Sequence, residues 1–342
     1  MAEIPPIPLL IDELGAEKLE LLRSRIKTDT VHKRKPGSTR YLVVFRLTDI
    51  QPADYVRAIQ EIEMLKTKVM GHNKTSAGNI TLASFYDLWY ENSVLRKRIM
   101  HSQDPHEEKW RAAGQFKYKL ATNFMPMYAK SILEHFNATS VLDPCAGWGD
   151  RMAGALSAGT VSKYVGFDPN INLRSGYKKI MHDFGKPVTY ENGKSIIFDS
   201  VHAIHSECFE KGEELLQDSI FDFAFTGPPF FLYEDYGAFM PRYDNWYQDF
   251  YRPLFMITHN HLKSHGYFVV YLNDSLGGEI ENYMVYTVPR FTSFRFIGKI
   301  GMIGGSSERI RDVFVFQRGA RVEDGLTPCA SRVATVLQKV DE

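Results

Sequence analysis

One stretch constrains the fold of this 342-residue chain more than any other. Residues 140–143 form a short apolar run that reads as a buried strand. Asp143, Pro144, Cys145, Ala146, Gly147, Trp148 and Gly149 follow as a glycine-punctuated turn, and the segment through Leu156 carries a helical pattern. A strand passing through a tight turn into a helix is the opening of a βαβ unit. Gly147 and Gly149 let the backbone run close beneath a ligand, and the N–H groups at the helix start can face an anion or a polar group. Asp168 ends the next strand-like run, 164–168, 19 residues after Gly149, where a carboxylate can accept hydrogen bonds from the two hydroxyls of a ribose. A nucleotide-like cofactor fits this pair of features.

The pattern around that stretch predicts a parallel sheet. A helix over 124–136 carries Pro126 in its first turn, strands follow at 140–143 and 164–168, and a helix covers 173–184. After an irregular stretch come a third strand at 201–206, a helix over 209–216, a fourth strand at 221–226, a helix over 246–262 and a fifth strand at 267–272. A closing pair at 295–300 and 313–317 ends the series. The first ~105 residues read as a separate α/β module, with helices near 17–25 and 55–65, a strand at 40–46 and a linker at 100–108. The expected organisation is a module at 1–105, a main domain at 106–322 and a tail at 323–342.

Composition narrows the function classes. The chain is 44% apolar, and its 41 basic residues balance 41 acidic ones, which excludes general disorder and wholesale coating by a polyanion. Basic residues nevertheless cluster: Lys33, Arg34 and Lys35 stand within a run from Arg23 to Arg40 opposed only by Asp29, and Arg96, Lys97 and Arg98 form a second group. Such clusters suit phosphate-backbone contacts and suit a solvated surface equally well. No apolar run reaches membrane-spanning length and the start lacks a secretory pattern, so an intracellular protein is expected. Three scattered cysteines argue for reduced thiols, and the eleven histidines show no ligand spacing, so no metal is expected. A dinucleotide reading of the glycine turn is disfavoured because Met152 stands where the third glycine of G-x-G-x-x-G would be.

The run Asp143-Pro144-Cys145-Ala146-Gly147-Trp148-Gly149 resembles the cofactor loop of class I S-adenosylmethionine-dependent methyltransferases, in the form typical of enzymes that methylate exocyclic amino groups. Thr226-Gly227-Pro228-Pro229-Phe230-Phe231, after the fourth strand, resembles their second signature, commonly Asn, Asp or Ser followed by Pro-Pro and Tyr or Phe. The resemblance covers about residues 115–318. It implies a Rossmann-like α/β fold with a seven-stranded, mostly parallel sheet, the last strand antiparallel, and helices on both faces. It implies S-adenosyl-L-methionine as cofactor, lined by Asp143, Pro144, Cys145, Ala146, Gly147 and Gly149, with Asp168 on the ribose and Pro169, Asn170 and Ser206 along the adenine. Gly227, Pro228, Pro229 and Phe230 would present the target nitrogen, with Phe230 stacked on a planar base.

The resemblance further implies a nucleic-acid partner, DNA or RNA, with adenine N6 favoured and cytosine N4 next. An exocyclic amine has its lone pair delocalised into the ring, so acceptors must draw its protons out of plane before it attacks. Gly227 departs from the pattern: it carries no side-chain acceptor, and only backbone carbonyls remain. Phe231, Tyr233, Asn273 and the basic Lys33, Arg34 and Lys35 are the candidate substrate contacts, and Glu234, Asp235 and Asp274 could compensate for Gly227. A catalytically silent module that binds nucleic acid is the competing reading.

Overall fold

The computed structural model describes residues 28–30, 41–47, 72–75, 78–81, 124, 126–230, 245–272, 278–303 and 310–319. In chain order the strands are β1 (Thr28–Thr30), β2 (Tyr41–Leu47), β3 (His72–Thr75), β4 (Gly78–Thr81), β5 (Ser140–Asp143), β6 (Lys163–Phe167), β7 (Val188–Glu191), β8 (Ser195–Phe198), β9 (His202–His205), β10 (Phe221–Thr226), β11 (Leu262–Tyr271), β12 (Phe294–Ile303) and β13 (Arg311–Arg318). The main helices are α1 (Pro126–His135), α2 (Asp150–Ser157), α3 (Arg174–Asp183) and α4 (Arg252–Asn260).

Eleven strands form one sheet in the order β1-β2-β12-β13-β11-β10-β5-β6-β9-β8-β7, and β3 and β4 pair with each other. The strands β9, β6, β5, β10 and β11 run parallel, and β13 lies antiparallel between β11 and β12. These seven are the expected Rossmann-like sheet with its antiparallel last strand. Strands at both edges widen it. The chain starts at β5, moves outward through β6 to β9, and returns to lay β10 on the other side of β5. The reversal makes the carboxyl ends of β5 and β10 a topological switch point, the place where open α/β sheets bind ligands.

Both faces of the sheet are covered because its central strands are apolar on both. On one face Met127, Ile132, Met152, Tyr177 and Ile180 of α1, α2 and α3 pack on Val141, Phe223, Phe225 and Val269. On the other, Phe250, Leu254 and Phe255 pack on Leu142, Ala224, Phe268 and Val270. The run Phe221–Thr226 is buried at five of its six positions, as a central parallel strand must be.

The sequence reading and the structure differ in four places. Residues 209–216 form two short 3-10 turns, Phe209–Lys211 and Glu213–Leu216, because Gly212 breaks the helix and packs where a Cβ would lie 2.9 Å from the Phe167 ring. The stretch expected to be irregular is the β7–β8 hairpin, and its Asn192 carboxamide oxygen accepts from the Lys194 and Ser195 backbone N–H groups. The helix over 246–262 opens as a π turn, Tyr247–Tyr251, and ends at Asn260 before β11 begins. The strand at 40–46, read as part of the N-terminal module, is β2 and runs parallel to β12 in the main sheet. The helices near 17–25 and 55–65 and the linker at 100–108 lie outside the described residues.

Candidate functional site

The loop after β5 is held in shape by its own backbone. Gly147 and Gly149 take φ of 57° and 86°, left-handed values that favour glycine. Ala146 N–H donates to the Phe167 carbonyl at 2.7 Å, tying the loop to the end of β6. A Cβ on Gly149 would lie 3.0 Å from Ile180 Cδ1, so the helix start presses on α3. One on Gly147 would meet nothing among the described residues nearer than the Cys145 carbonyl at 3.9 Å.

Asp168 faces this loop from the end of β6. Its Oδ2 accepts from Gly147 N–H at 3.0 Å and its Oδ1 from Asn170 N–H at 2.8 Å, while the side chain stays half-buried. Burial pushes its carboxyl up to about 7, against the lowering effect of the Asn170 and Gly147 N–H groups. Tyr177 of α3 donates its hydroxyl to the Gly147 carbonyl and fixes the loop from the helix side.

Asp143 is fully buried and does not open onto the switch point. Arg151 grips it, with Nε on Oδ2 at 2.8 Å and Nη2 on Oδ1 at 3.2 Å; the Tyr164 hydroxyl donates to Oδ2 at 2.8 Å and Cys145 N–H to Oδ1 at 3.3 Å. Arg151 Nη2 also donates to the Cys145 carbonyl. Burial lowers the affinity of Arg151 for its proton, but the charge and hydrogen bonds of Asp143, with Tyr164 and Cys145, together outweigh it and keep the guanidinium charged. Asp143 therefore shapes the loop through Arg151, and any ligand is met by backbone atoms. Pro144 and Ala146 are buried and Cys145 is partly exposed. Burial also pushes the Cys145 thiol well up.

The turn after β10 emerges beside this loop. Gly227 and Phe230 are partly exposed, Pro228 is buried, and Phe230 meets Tyr271 edge to face with ring centroids 6.0 Å apart. Tyr271 in turn packs on Phe124. A Cβ on Gly227 would lie 3.0 Å from Arg151 Nη1. Arg151, between the Phe124 and Phe225 rings, therefore bridges the two sequence motifs.

On the other flank, Asn170 is buried and Pro169 half-buried, while Ile171 is 56% exposed beside them. Ser206 accepts from Arg174 Nη1 at 2.9 Å, which binds it into a polar group with Glu191 and Asn192. Arg151, Tyr164, Tyr177 and Arg174 were not singled out from sequence, since a lone Arg or Tyr in a helix or strand carries no motif. Lys33, Arg34, Lys35, Phe231, Tyr233, Asn273, Glu234, Asp235 and Asp274 lie outside the described residues. Among the described residues there is no group of His, Cys, Asp and Glu able to hold a metal, and no helix long and apolar enough to cross a membrane.

No family model and no curated protein sequence matches this chain. Solved structures similar to it include TrmN from Thermus thermophilus, at 14% identity over 56% of this chain and 48% of that one with a TM-score of 0.39. An rRNA methylase from Streptococcus thermophilus matches at 12% identity over 59% of this chain and 100% of that one, TM-score 0.38. The O-methyltransferase TomG from Streptomyces achromogenes, solved with SAM, matches at 13% identity over 67% and 97%, TM-score 0.40. This chain thus spans about half the length of TrmN. The likeness is loose at these scores, and the Rossmann-like class of the fold follows from the chain's own strand order.

Proposed function

We propose that this chain is an S-adenosyl-L-methionine-dependent methyltransferase acting on an exocyclic amino group of a nucleic-acid base, adenine N6 first and cytosine N4 next. One observation carries the reading: the loop at 144–149, the Asp168 carboxylate and the Gly227-Pro228-Pro229-Phe230 turn converge at the switch point between β5 and β10. The residues suit the cofactor. Asp168 would take the ribose hydroxyls, the backbone around Gly147 the sugar and methionine portion, and Pro169, Asn170 and Ile171 the adenine.

The bound cofactor would supply a methyl group on a positively charged sulfur. The carbonyls of Gly227 and Pro228 would accept the amine protons and turn its lone pair toward that methyl, while Phe230 holds the base by stacking. As the amine takes the methyl, with the C–S electron pair kept by the cofactor, the Gly227 and Pro228 carbonyls would pass the surplus amine proton to water. The absence of an acceptor side chain at Gly227 favours a second reading, a module that binds nucleic acid without catalysis.

Incubation with labelled S-adenosyl-L-methionine and separate pools of single-stranded and duplex DNA and RNA, followed by nucleoside mass spectrometry, tests the proposal. A methylated adenine or cytosine supports it. A methylated protein or metabolite, or none, refutes it.

A further inference from the structure

Residue 227 heads the turn, and a side chain there would grow straight into Arg151: its first carbon would lie 3.0 Å from Nη1. The arginine thus fills the place where an acceptor side chain would otherwise meet the substrate. Its Nε and Nη2 are spent on Asp143 and the Cys145 carbonyl. Nη1 makes no hydrogen bond among the described residues and is not one of their buried partnerless atoms, so it is the atom of this 8% exposed side chain that a ligand can reach. A ligand that supplies an acceptor there can replace water on a charged donor already held in place.

A guanidinium only donates. The substrate atom opposite Nη1 must therefore carry a lone pair, and the amine protons are left to the backbone carbonyls. An amine beside an unprotonated ring nitrogen matches this pattern, as in adenine (N6 with N1) and cytosine (N4 with N3). Guanine places a donor, N1–H, on one side of its amine and an unprotonated nitrogen, N3, on the other, so it matches only when presented by its N3 side.

Resting on the methyltransferase reading above, we propose that Arg151 is the base-reading residue of the site: Nη1 donates to the ring nitrogen that flanks the target amine, with Asp143 holding the guanidinium in register. The pairing explains why position 227 is glycine, since its backbone demands no left-handed φ while the guanidinium demands the space.

The test uses the full chain and single-stranded oligonucleotides carrying one target: adenine, 1-deazaadenine or 7-deazaadenine, with cytosine and 3-deazacytosine in parallel. Loss of one hydrogen bond to a charged donor should lower kcat/KM for the 1-deaza and 3-deaza bases about 10- to 150-fold against their parents. The 7-deaza base should stay within about threefold of adenine. Arg151→Lys keeps a charge for Asp143 but loses the fork, so it should bring the 1-deaza ratio close to unity, an effect that a purely structural arginine would not produce. Equal rates for the parent and 1-deaza or 3-deaza bases in the unaltered protein overturn the proposal, whether or not the variant folds. So does an Arg151→Lys protein that weakens only the KM for the cofactor and keeps the discrimination. If the unaltered protein methylates no base, the methyltransferase reading itself falls, and this proposal with it.

Discussion

Replacing Asp143 by leucine should be far more damaging than its place in a surface-edge loop suggests. Asp143 is 0% exposed and Arg151 7%, and the carboxylate accepts from four donors, two of them on the guanidinium. Asp143→Leu strands a buried cation and two further polar groups, the Tyr164 hydroxyl and the Cys145 N–H. Breaking such a pair from one side costs about 3–5 kcal/mol, whereas removing both charges together is often neutral. With a urea slope of about 2 kcal/mol/M, the single variant should lower the unfolding midpoint by roughly 2 M. The double variant Asp143→Leu/Arg151→Met should recover most of that loss, giving a coupling energy of about 3 kcal/mol. Urea titration followed by circular dichroism and by tryptophan fluorescence measures both quantities and checks that the two signals coincide. A single-variant loss under about 1 kcal/mol, or a double variant no better than the sum of its parts, would refute the buried-pair account.

Three other outcomes follow from the geometry. In the proposed site Asp168 would accept from both ribose hydroxyls as a carboxylate, and burial raises its pKa to about 7, so cofactor affinity should be flat above about pH 8 and fall about tenfold per unit below 7. Folding stability runs the other way, since the folded state holds that proton more tightly: its contribution is full below about pH 4 and lost as pH rises through 7. Titration calorimetry across pH, with Asp168→Ala as control, would contradict this if the affinity were level from pH 5 to 8. Gly149→Ala should destabilise by about 1–3 kcal/mol in thermal unfolding, because it combines a φ of 86° with a methyl 3.0 Å from Ile180. Gly227→Asn should lower methyl transfer at least tenfold, the carboxamide meeting Arg151 Nη1; a gain in activity would instead mark Gly227 as a weakened site.

The parts of this molecule legible in the sequence are those where one residue type leaves little choice. The apolar runs at 140–143 and 221–226 could only be buried strands, and they match β5 and β10 residue for residue. The glycine turn with Asp168 nineteen residues on is also found after β5 and β6, since glycine takes the two left-handed φ values at least cost. The β7–β8 hairpin was legible in principle: Asn192-Gly193 between β-branched and aromatic residues is a hairpin signal, passed over because the run is short and polar on one side. The π opening before α4 carries no local signature and is set by the packing of Trp246, Phe250 and Tyr251 on the sheet. Arg151 was invisible for another reason. Its meaning lies in a carboxylate eight residues earlier and a glycine 76 residues later, and only the return of the chain to the middle of the sheet brings the three together.

The central claim is that the switch point between β5 and β10 grips a sulfonium nucleoside through the Gly147 backbone and Asp168. Calorimetric titration of the full chain with S-adenosyl-L-methionine tests it most directly. The account predicts saturable one-to-one binding that Asp168→Ala weakens at least 100-fold, about 3 kcal/mol for two hydrogen bonds to a charged acceptor, while the variant keeps its unfolding transition. No heat of binding to the unaltered protein, or equal affinity in the variant, would contradict it.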